Sequence, residues 1–127
     1  MPYWCLGKIS RALNSQERSL KGSKVLVVGV SYKADISDMR ESPALKVIEL
    51  LQEAGADVGY HDPFVPELEE HGLRSEPLDA AGADCVAIVT AHSGIDYAKL
   101  VEEAPVVVDF RNATGRAGVS SPKIWKL

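Results

Sequence analysis

Three short apolar runs, rich in β-branched residues, constrain the fold of this chain more than any other feature. They lie at residues 24–30, 84–90 and 105–109. Continuous apolar runs are typical of strands buried on both faces of a parallel sheet, because a half-exposed strand alternates apolar and polar residues. Residues 57–61, closed by Asp62 and Pro63, are predicted to form a further strand.

Segments with helical spacing separate these strands. Ser42 and Pro43 predict a helix start, with Ser42 as the N-cap, and Gly55 predicts its end. Other helices are predicted at residues 2–16, 66–70, 78–82 and 97–103. Alternating strands and helices predict an α/β protein, a three-layer α/β/α sandwich with a mainly parallel Rossmann-like sheet of about five strands, preceded by one helix.

The composition restricts the class of protein. The 127 residues suffice for one domain, and a formal net charge of -4 without a basic run argues against a nucleic-acid partner. No apolar stretch approaches the roughly 20 residues that span a bilayer, and the N-terminus lacks a signal-peptide pattern. The contexts of Cys5 and Cys85 suggest a reducing compartment. We therefore expect a cytoplasmic protein without a membrane partner.

Ligands of parallel α/β sheets bind beyond the carboxyl ends of the strands. The first loop there, residues 31–41, contains no glycine and so does not match the glycine-rich turn that cradles a dinucleotide. It offers Lys33 and Arg40 beside the helix that starts at Ser42, which favours binding of a phosphate or carboxylate. The alternative is that both cations pair with acids of the same loop, namely Asp35, Asp38 and Glu41.

Arg111 follows the last predicted strand and would face the same crevice, unless it forms a surface ion pair with Asp109 or Glu41. Asp62 could bind a ribose hydroxyl, but an Asp-Pro turn that ends the strand is the favoured interpretation. The three histidines lack metal-ligand spacing, and no pattern frames a nucleophile with a base. We therefore expect neither a catalytic nor a metal site in this chain.

The segment from Gly29 to Ala44 resembles the UDP-glucose/GDP-mannose dehydrogenase family. The resemblance rests on an aromatic–Lys pair at Tyr32-Lys33 and on the Asp-Met-Arg-Glu-Ser segment at 38–42. Three further stretches resemble the family, so the resemblance covers almost the whole chain: residues 1–14, 60–66 and 109–112.

The resemblance implies an enzyme that oxidises the C6 alcohol of a nucleotide sugar to a carboxylate in two NAD-dependent steps, through a cysteine-linked intermediate. It implies that residues 1–20 are the end of a central dimerisation helix and a linker, and that residues 21–127 are the UDP-sugar-binding domain. The family's NAD fingerprint and catalytic cysteine segment have no match here. We therefore expect NAD to be bound mainly by an absent N-terminal domain, and this fragment to be inactive alone.

By motif position, Tyr32, Lys33 and Arg111 match the family's nucleotide-sugar ligands, and Arg40 matches an arginine that reaches NAD. The implied partners are a UDP-sugar, the NAD domain and a second subunit. UDP-glucose and UDP-N-acetyl-hexosamines are the favoured sugars, with GDP-mannose third. The resemblance also implies a role in polysaccharide biosynthesis.

Two alternatives remain: a free-standing nucleotide-binding or regulatory module without enzymatic activity, and a structural domain without a ligand. The leading helix discriminates between a module and a fragment. Its apolar stripe would fold back onto an autonomous domain, but would be exposed or in a dimer contact in a fragment. The residues concerned are Tyr3, Trp4, Leu6 and Ile9.

Overall fold

The computed structural model describes residues 2–31 and 42–126. The strands of this part are β1 (Lys24–Val28), β2 (Asp57–His61), β3 (Glu67–Leu68), β4 (Leu73–Arg74), β5 (Cys85–Ile88), β6 (Val107–Asp109) and β7 (Ile124–Lys126). Its helices are α1 (Pro2–Ser15), α2 (Pro43–Glu53), α3 (Tyr97–Glu103) and α4 (Ala113–Arg116), with a short 3₁₀ turn at Glu69–His71.

Five of these strands form one parallel sheet in the order β2-β1-β5-β6-β7. From β1 the chain first builds outward to β2 and then returns to the other side of β1 with β5. The order therefore reverses between β1 and β5, where ligand crevices of such sheets form. The predicted α/β class and mainly parallel five-stranded sheet are confirmed.

Helices cover both faces of the sheet, as predicted for three layers. Val25 and Val27 of β1 point to a core that includes residues of α1 and α2. Leu26 and Val28 point to the opposite core, which includes residues of α3 and α4. Because both faces of β1 are covered, its sequence shows a continuous apolar run.

The leading helix divides into a packed part and an exposed end. Ile9, Ala12 and Leu13 are fully buried in the core on one face of the sheet. Tyr3 and Trp4 remain 69% and 41% exposed. Cys5 and Leu6 also pack against this core, so the apolar stripe folds back onto the domain from Cys5 onward and only the first turn is exposed. The proposed boundary at residue 20 stays a prediction.

Two predicted local elements are wrong. Residues 78–82 form turns instead of a helix, because the Asp79 carboxylate accepts a hydrogen bond from the Gly82 backbone N–H at 3.1 Å, which competes with helical bonding. The predicted helix at 66–70 is replaced by β3 and the 3₁₀ turn, which ends at Gly72 in a left-handed conformation. This turn lets β4 pair antiparallel with β3.

No helix in the described part of the chain is long and apolar enough to cross a lipid bilayer.

Candidate functional site

The carboxyl ends of β1, β2 and β5 meet at a buried carboxylate. Asp62, which directly follows β2, accepts hydrogen bonds at Oδ2 from the backbone N–H groups of Val30 (2.8 Å) and Ser31 (3.2 Å). Its Oδ1 accepts from the backbone N–H of Phe64 at 2.8 Å. The last bond closes the Asp-Pro turn, so the carboxylate both ends β2 and holds the chain leaving β1. Because the Asp62 carboxylate accepts from three backbone N–H groups, its interpretation as part of an Asp-Pro turn is favoured over a role in binding a ribose hydroxyl.

A histidine from the neighbouring strand end completes this network. His92 Nε2 lies 2.9 Å from Asp62 Oδ2, and both side chains are fully buried. The Tyr97 hydroxyl donates to the His92 backbone carbonyl at 2.8 Å, and the Phe64 ring lies 4.9 Å from the imidazole. These contacts fix the imidazole within the crevice between β1 and β5.

Ser31, His92 and Asp62 do not form a catalytic triad. Ser31 Oγ lies 3.2 Å from the same Nε2 that contacts the carboxylate. A general base needs one ring nitrogen to accept the serine proton and the other to donate to the acid. Here one nitrogen, Nε2, faces both the carboxylate and the serine hydroxyl, so the relay through two opposite ring nitrogens is not formed.

The residues on either side of the 32–41 segment are held by further buried hydroxyls. Ser42 Oγ donates to the Val30 carbonyl at 2.7 Å and caps α2 by accepting from the Ala44 N–H at 3.3 Å. Thr90 Oγ1 donates to the Ser31 carbonyl at 2.7 Å. The predicted N-cap is therefore confirmed, and the segment starts and ends at fixed points of the sheet edge.

Tyr32, Lys33 and Arg40 lie outside the described residues. Their assignment as substrate and cofactor ligands, and the predicted meeting of Lys33 with Arg111, stay predictions.

Arg111 lies where the sequence predicted, in the loop after β6. Its Nε donates to the Val89 backbone carbonyl, just beyond β5, at 2.9 Å. Within the described residues it makes no ion pair with Asp109, one of the two alternatives to a ligand role. The Nε bond anchors the guanidinium across the ends of two adjacent strands. Its terminal nitrogens have no hydrogen-bond partner among residues 2–31 and 42–126.

A cavity of about 380 Å³ opens at this edge. It is lined by Asp109, Phe110, Arg111, Asn112, Arg116 and Lys126. Of these, only Arg111 is a ligand predicted from the sequence. The sequence does not point to Arg116, because it does not predict the short helix α4. Lys126 pairs with Asp109 in the parallel register of β6 and β7, which only the topology reveals.

The carboxylate among the residues that line this cavity, Asp109, already accepts hydrogen bonds from its own loop. Asp109 is buried, and its two oxygens accept from the N–H groups of Arg111, Ala113 and Thr114 and from the Thr114 hydroxyl. These bonds stabilise the loop that carries Arg111. The cavity therefore presents cations, with its carboxylate turned into the protein.

The two cysteines are poorly placed for nucleophilic chemistry. Burial raises the pKa of the Cys85 thiol to about 12, with a smaller contribution from the Asp84 carboxylate. Burial also raises the pKa of the Cys5 thiol, although the positive charge of Arg111 opposes this rise. A raised pKa disfavours the reactive thiolate. In the described part of the chain, no group of three or more histidine, cysteine or acidic side chains could hold a metal ion.

Comparison with known proteins assigns the chain to a family. The model of the "UDP-glucose/GDP-mannose dehydrogenase family, UDP binding domain" matches residues 26–116. The chain is 36% identical over 104 residues to a UDP-glucose 6-dehydrogenase of Rhizobium meliloti, covering 73% of this chain and 24% of that protein. It is 33% identical over 93 residues to a UDP-N-acetyl-D-mannosamine dehydrogenase of Methanococcus vannielii, covering 73% and 21%.

Solved structures agree with this assignment. An NDP-N-acetyl-D-galactosaminuronic acid dehydrogenase from Methanosarcina mazei Go1 superposes with a TM-score of 0.79 at 25% identity, over 99% of this chain and 28% of that one. A UDP-glucose dehydrogenase from Pyrobaculum islandicum gives 0.71 at 28% identity, over 98% and 29%. The chain thus spans about a quarter of the length of the relatives it matches. It belongs to the UDP-glucose/GDP-mannose dehydrogenase family and contains that family's UDP binding domain.

Proposed function

We propose that this chain is the nucleotide-sugar-binding C-terminal portion of an NAD-dependent UDP-sugar 6-dehydrogenase. It binds UDP-glucose or a UDP-N-acetyl-hexosamine through Tyr32, Lys33 and Arg111, and Arg40 reaches the NAD held mainly by a separate domain. The whole enzyme oxidises the sugar C6 alcohol to a carboxylate in the cytoplasm and works as a dimer.

The observation that carries the proposal is the position of Arg111. Its anchoring to the Val89 carbonyl holds a guanidinium in a cavity at the carboxyl edge of the sheet. Guanidinium groups bind phosphates through paired N–H donors, so a fixed one beside an open cavity suits a nucleotide diphosphate. Names of relatives that include UDP-glucose and UDP-N-acetyl-D-mannosamine support the same ligand class.

The chain's own residues fit substrate binding better than oxidation. The loop after β1 has no glycine beyond Gly29, so it lacks the backbone cradle that a dinucleotide pyrophosphate needs. The raised pKa of both thiols argues against either cysteine as the nucleophile that would hold the sugar. We therefore expect no turnover by this chain alone with UDP-glucose and NAD.

Calorimetric titration with UDP and UDP-glucose tests the proposal. Arg111→Gln should weaken binding by about 1.5–3 kcal/mol, the contribution of a hydrogen bond to a charged group. Arg11→Gln, an equal charge change at an exposed position of α1, is the matched control and should leave the affinity unchanged. Absence of wild-type binding at millimolar UDP, or equal effects of both variants, would overturn the proposal.

Two further variants separate the roles assigned by resemblance. Lys33→Ala should weaken UDP binding by a similar 1.5–3 kcal/mol. Arg40→Ala should leave UDP binding by this chain nearly intact and impair NAD-dependent turnover in a full-length enzyme. Equal damage to UDP binding by both variants would contradict the assignment of Arg40 to the cofactor.

One observation favours a second candidate, a nucleotide-binding module without enzymatic activity. Ile9 and Leu13 are fully buried against the sheet, as expected if the leading helix belongs to an autonomous domain. Exposure of Tyr3 and Trp4 favours a fragment instead. A full-length reading frame that encodes a glycine-rich NAD domain upstream would exclude the module.

A further inference from the structure

The cavity beside Arg111 carries more positive charge than one phosphate ligand requires. Arg111, Arg116 and Lys126 all line it, and Asp109 is the acid among its lining residues. Asp109 is 1% exposed and saturated by donors of its own loop. Its carboxylate therefore cannot turn outward to neutralise the three cations without breaking those bonds.

Five of the nine cationic side chains elsewhere in the described residues have acidic partners within ion-pair distance. The pairs are Arg18–Asp84, Lys24–Glu76, Lys46–Glu49, Arg74–Glu67 and Lys99–Glu103. The other four, Lys8, Arg11, Lys21 and Lys123, do not line this cavity. Within residues 2–31 and 42–126, none of the three cavity cations has a carboxylate within ion-pair distance. In a chain with a formal net charge of -4, the convergence of three such cations of the described residues on one cavity indicates an anionic ligand.

Asn112 contacts the Lys126 ammonium and begins the short helix that carries Arg116. It adopts a left-handed conformation, with φ 56° and ψ 32°, which is uncommon for a residue other than glycine and recurs at ligand sites. Its side-chain Oδ1 accepts from Lys126 Nζ at 3.1 Å, and its backbone carbonyl accepts from the Arg116 N–H at 3.0 Å. Gly115 leaves room for this side chain, because a Cβ there would lie 2.1 Å from Asn112 Oδ1.

We propose that Arg116 and Lys126 are additional ligands of the diphosphate, and that they make the cavity select diphosphates over monophosphates. This inference rests on the proposed function, since it extends the ligand set that Arg111 begins. Two adjacent phosphates can engage Arg111 together with Arg116 and Lys126, whereas a single phosphate engages Arg111 and leaves Arg116 and Lys126 unused. The Asn112 side chain holds the Lys126 ammonium beside this cavity.

The test compares the affinities of UDP, UMP, uridine and inorganic pyrophosphate for the intact chain and for Arg116→Gln/Lys126→Gln. The UDP affinity of the double variant should fall at least tenfold. A loss of this size corresponds to about one charge-assisted hydrogen bond or more. Its affinities for UMP and uridine should change less than threefold, so the preference for UDP over UMP collapses. Rescue by Arg116→Lys/Lys126→Arg, which keeps both charges, should restore most of that preference.

Arg11→Gln/Lys21→Gln is the control, because it removes the same charge from exposed positions in α1 and before β1. A loss of UDP affinity equal to that of the control overturns the inference. So does a loss that is the same for UDP and UMP. Thermal unfolding of each variant shows whether a loss of affinity reflects a loss of the fold.

The outcomes distinguish this inference from the proposed function. If UDP binding requires Arg111 but the Arg116/Lys126 double variant matches its control, the proposed function stands and the inference fails. If pyrophosphate binds through Arg116 and Lys126 while UDP does not bind, the anion site stands and the proposed function fails. If neither ligand binds the wild-type chain, both fail.

Discussion

His92 Nε2 lies 2.9 Å from Asp62 Oδ2, and neither side chain is exposed to solvent. The same carboxylate holds the backbone N–H groups of Val30, Ser31 and Phe64. A single buried side chain therefore joins the ends of β1, β2 and β5 at the point where the strand order reverses. This arrangement fixes the edge of the sheet from which the 32–41 segment begins.

Replacement of Asp62 by alanine should strongly destabilise the domain. The change leaves the buried N–H groups of Val30 and Ser31, the part-buried N–H of Phe64 and the imidazole without their acceptor. Removal of one partner from such a network costs about 3–5 kcal/mol. Urea denaturation followed by circular dichroism measures the free energy of unfolding. Asp96→Ala is the control, because Asp96 also accepts a backbone N–H, from Lys99 at 3.1 Å, but at an exposed helix cap. Its cost should be about 1 kcal/mol, and similar losses for the two variants would contradict a central role for Asp62.

Gly29 is predicted to tolerate no side chain. It has φ +85°, and a Cβ would lie 2.5 Å from both Cβ and the backbone oxygen of Thr90. Gly29→Ala should therefore combine left-handed strain of about 1–2 kcal/mol with a steric clash between the segments that follow β1 and β5. Gly22→Ala is the matched control, since φ is +83° and nothing lies within 4 Å of the added Cβ. Thermal unfolding should show a clearly larger loss for Gly29→Ala, and equal losses would mean that the sheet edge relaxes freely.

The sequence predicted those parts of the fold that depend on local pattern. Continuous apolar runs are visible because β1 and β5 are covered on both faces, and Ser42-Pro43 marks a helix start by its own chemistry. The turn at 78–82 was mistaken for a helix because Asp79 bonds to Gly82 through its side chain, a competition that spacing does not show. The pairing of β3 with β4 depends on the turn at Gly72, which propensity alone did not reveal.

The residues of the candidate site also divide into those that local sequence pattern predicts and those that only the fold brings together. Arg111 was predicted because it directly follows a valine-rich strand. The network of Ser31, Asp62 and His92 was missed, because these residues are separated by about 30 positions each and meet only through the parallel strand order. Lys126 was missed for a similar reason, since its neighbour across the sheet is Asp109. One sequence shows the residue types, but it does not show which residues become neighbours through the strand order and register of the sheet.

The two thiols should react at very different rates in the folded protein. Cys85 is fully buried in β5 with a pKa raised to about 12, whereas Cys5 is half-buried near the start of α1. Labelling with a thiol reagent at neutral pH should therefore modify Cys5 first and Cys85 only after unfolding in denaturant. Cys5→Ser should abolish the native-state reaction, while Cys85→Ser in folded protein should leave it unchanged. Rapid native-state labelling of the Cys5→Ser variant would show that β5 opens to solvent.

Alkaline pH should destabilise the domain through Tyr60. Burial, with the Asp62 and Glu67 carboxylates adding to it, raises the pKa of this phenol from 10.0 to about 12. The folded state therefore holds the phenolic proton more tightly than the unfolded chain, so its contribution to stability is complete below pH 10 and is lost as pH rises to about 12. This rise in the Tyr60 pKa corresponds to at most about 3 kcal/mol in the free energy of unfolding.

The measurement compares urea denaturation from pH 9 to about 12 in Tyr60→Phe and in the parent chain, both carrying Cys85→Ala. This background is needed because the Cys85 thiol also has a raised pKa and acts in the same direction. Tyr60→Phe should cost about 1 kcal/mol at neutral pH, because the hydroxyl donates to the Val65 carbonyl at 2.8 Å. Above pH 10, however, its stability should fall less steeply than that of the parent. Parallel curves over the whole range would show that Tyr60 does not titrate differently in the folded and unfolded states.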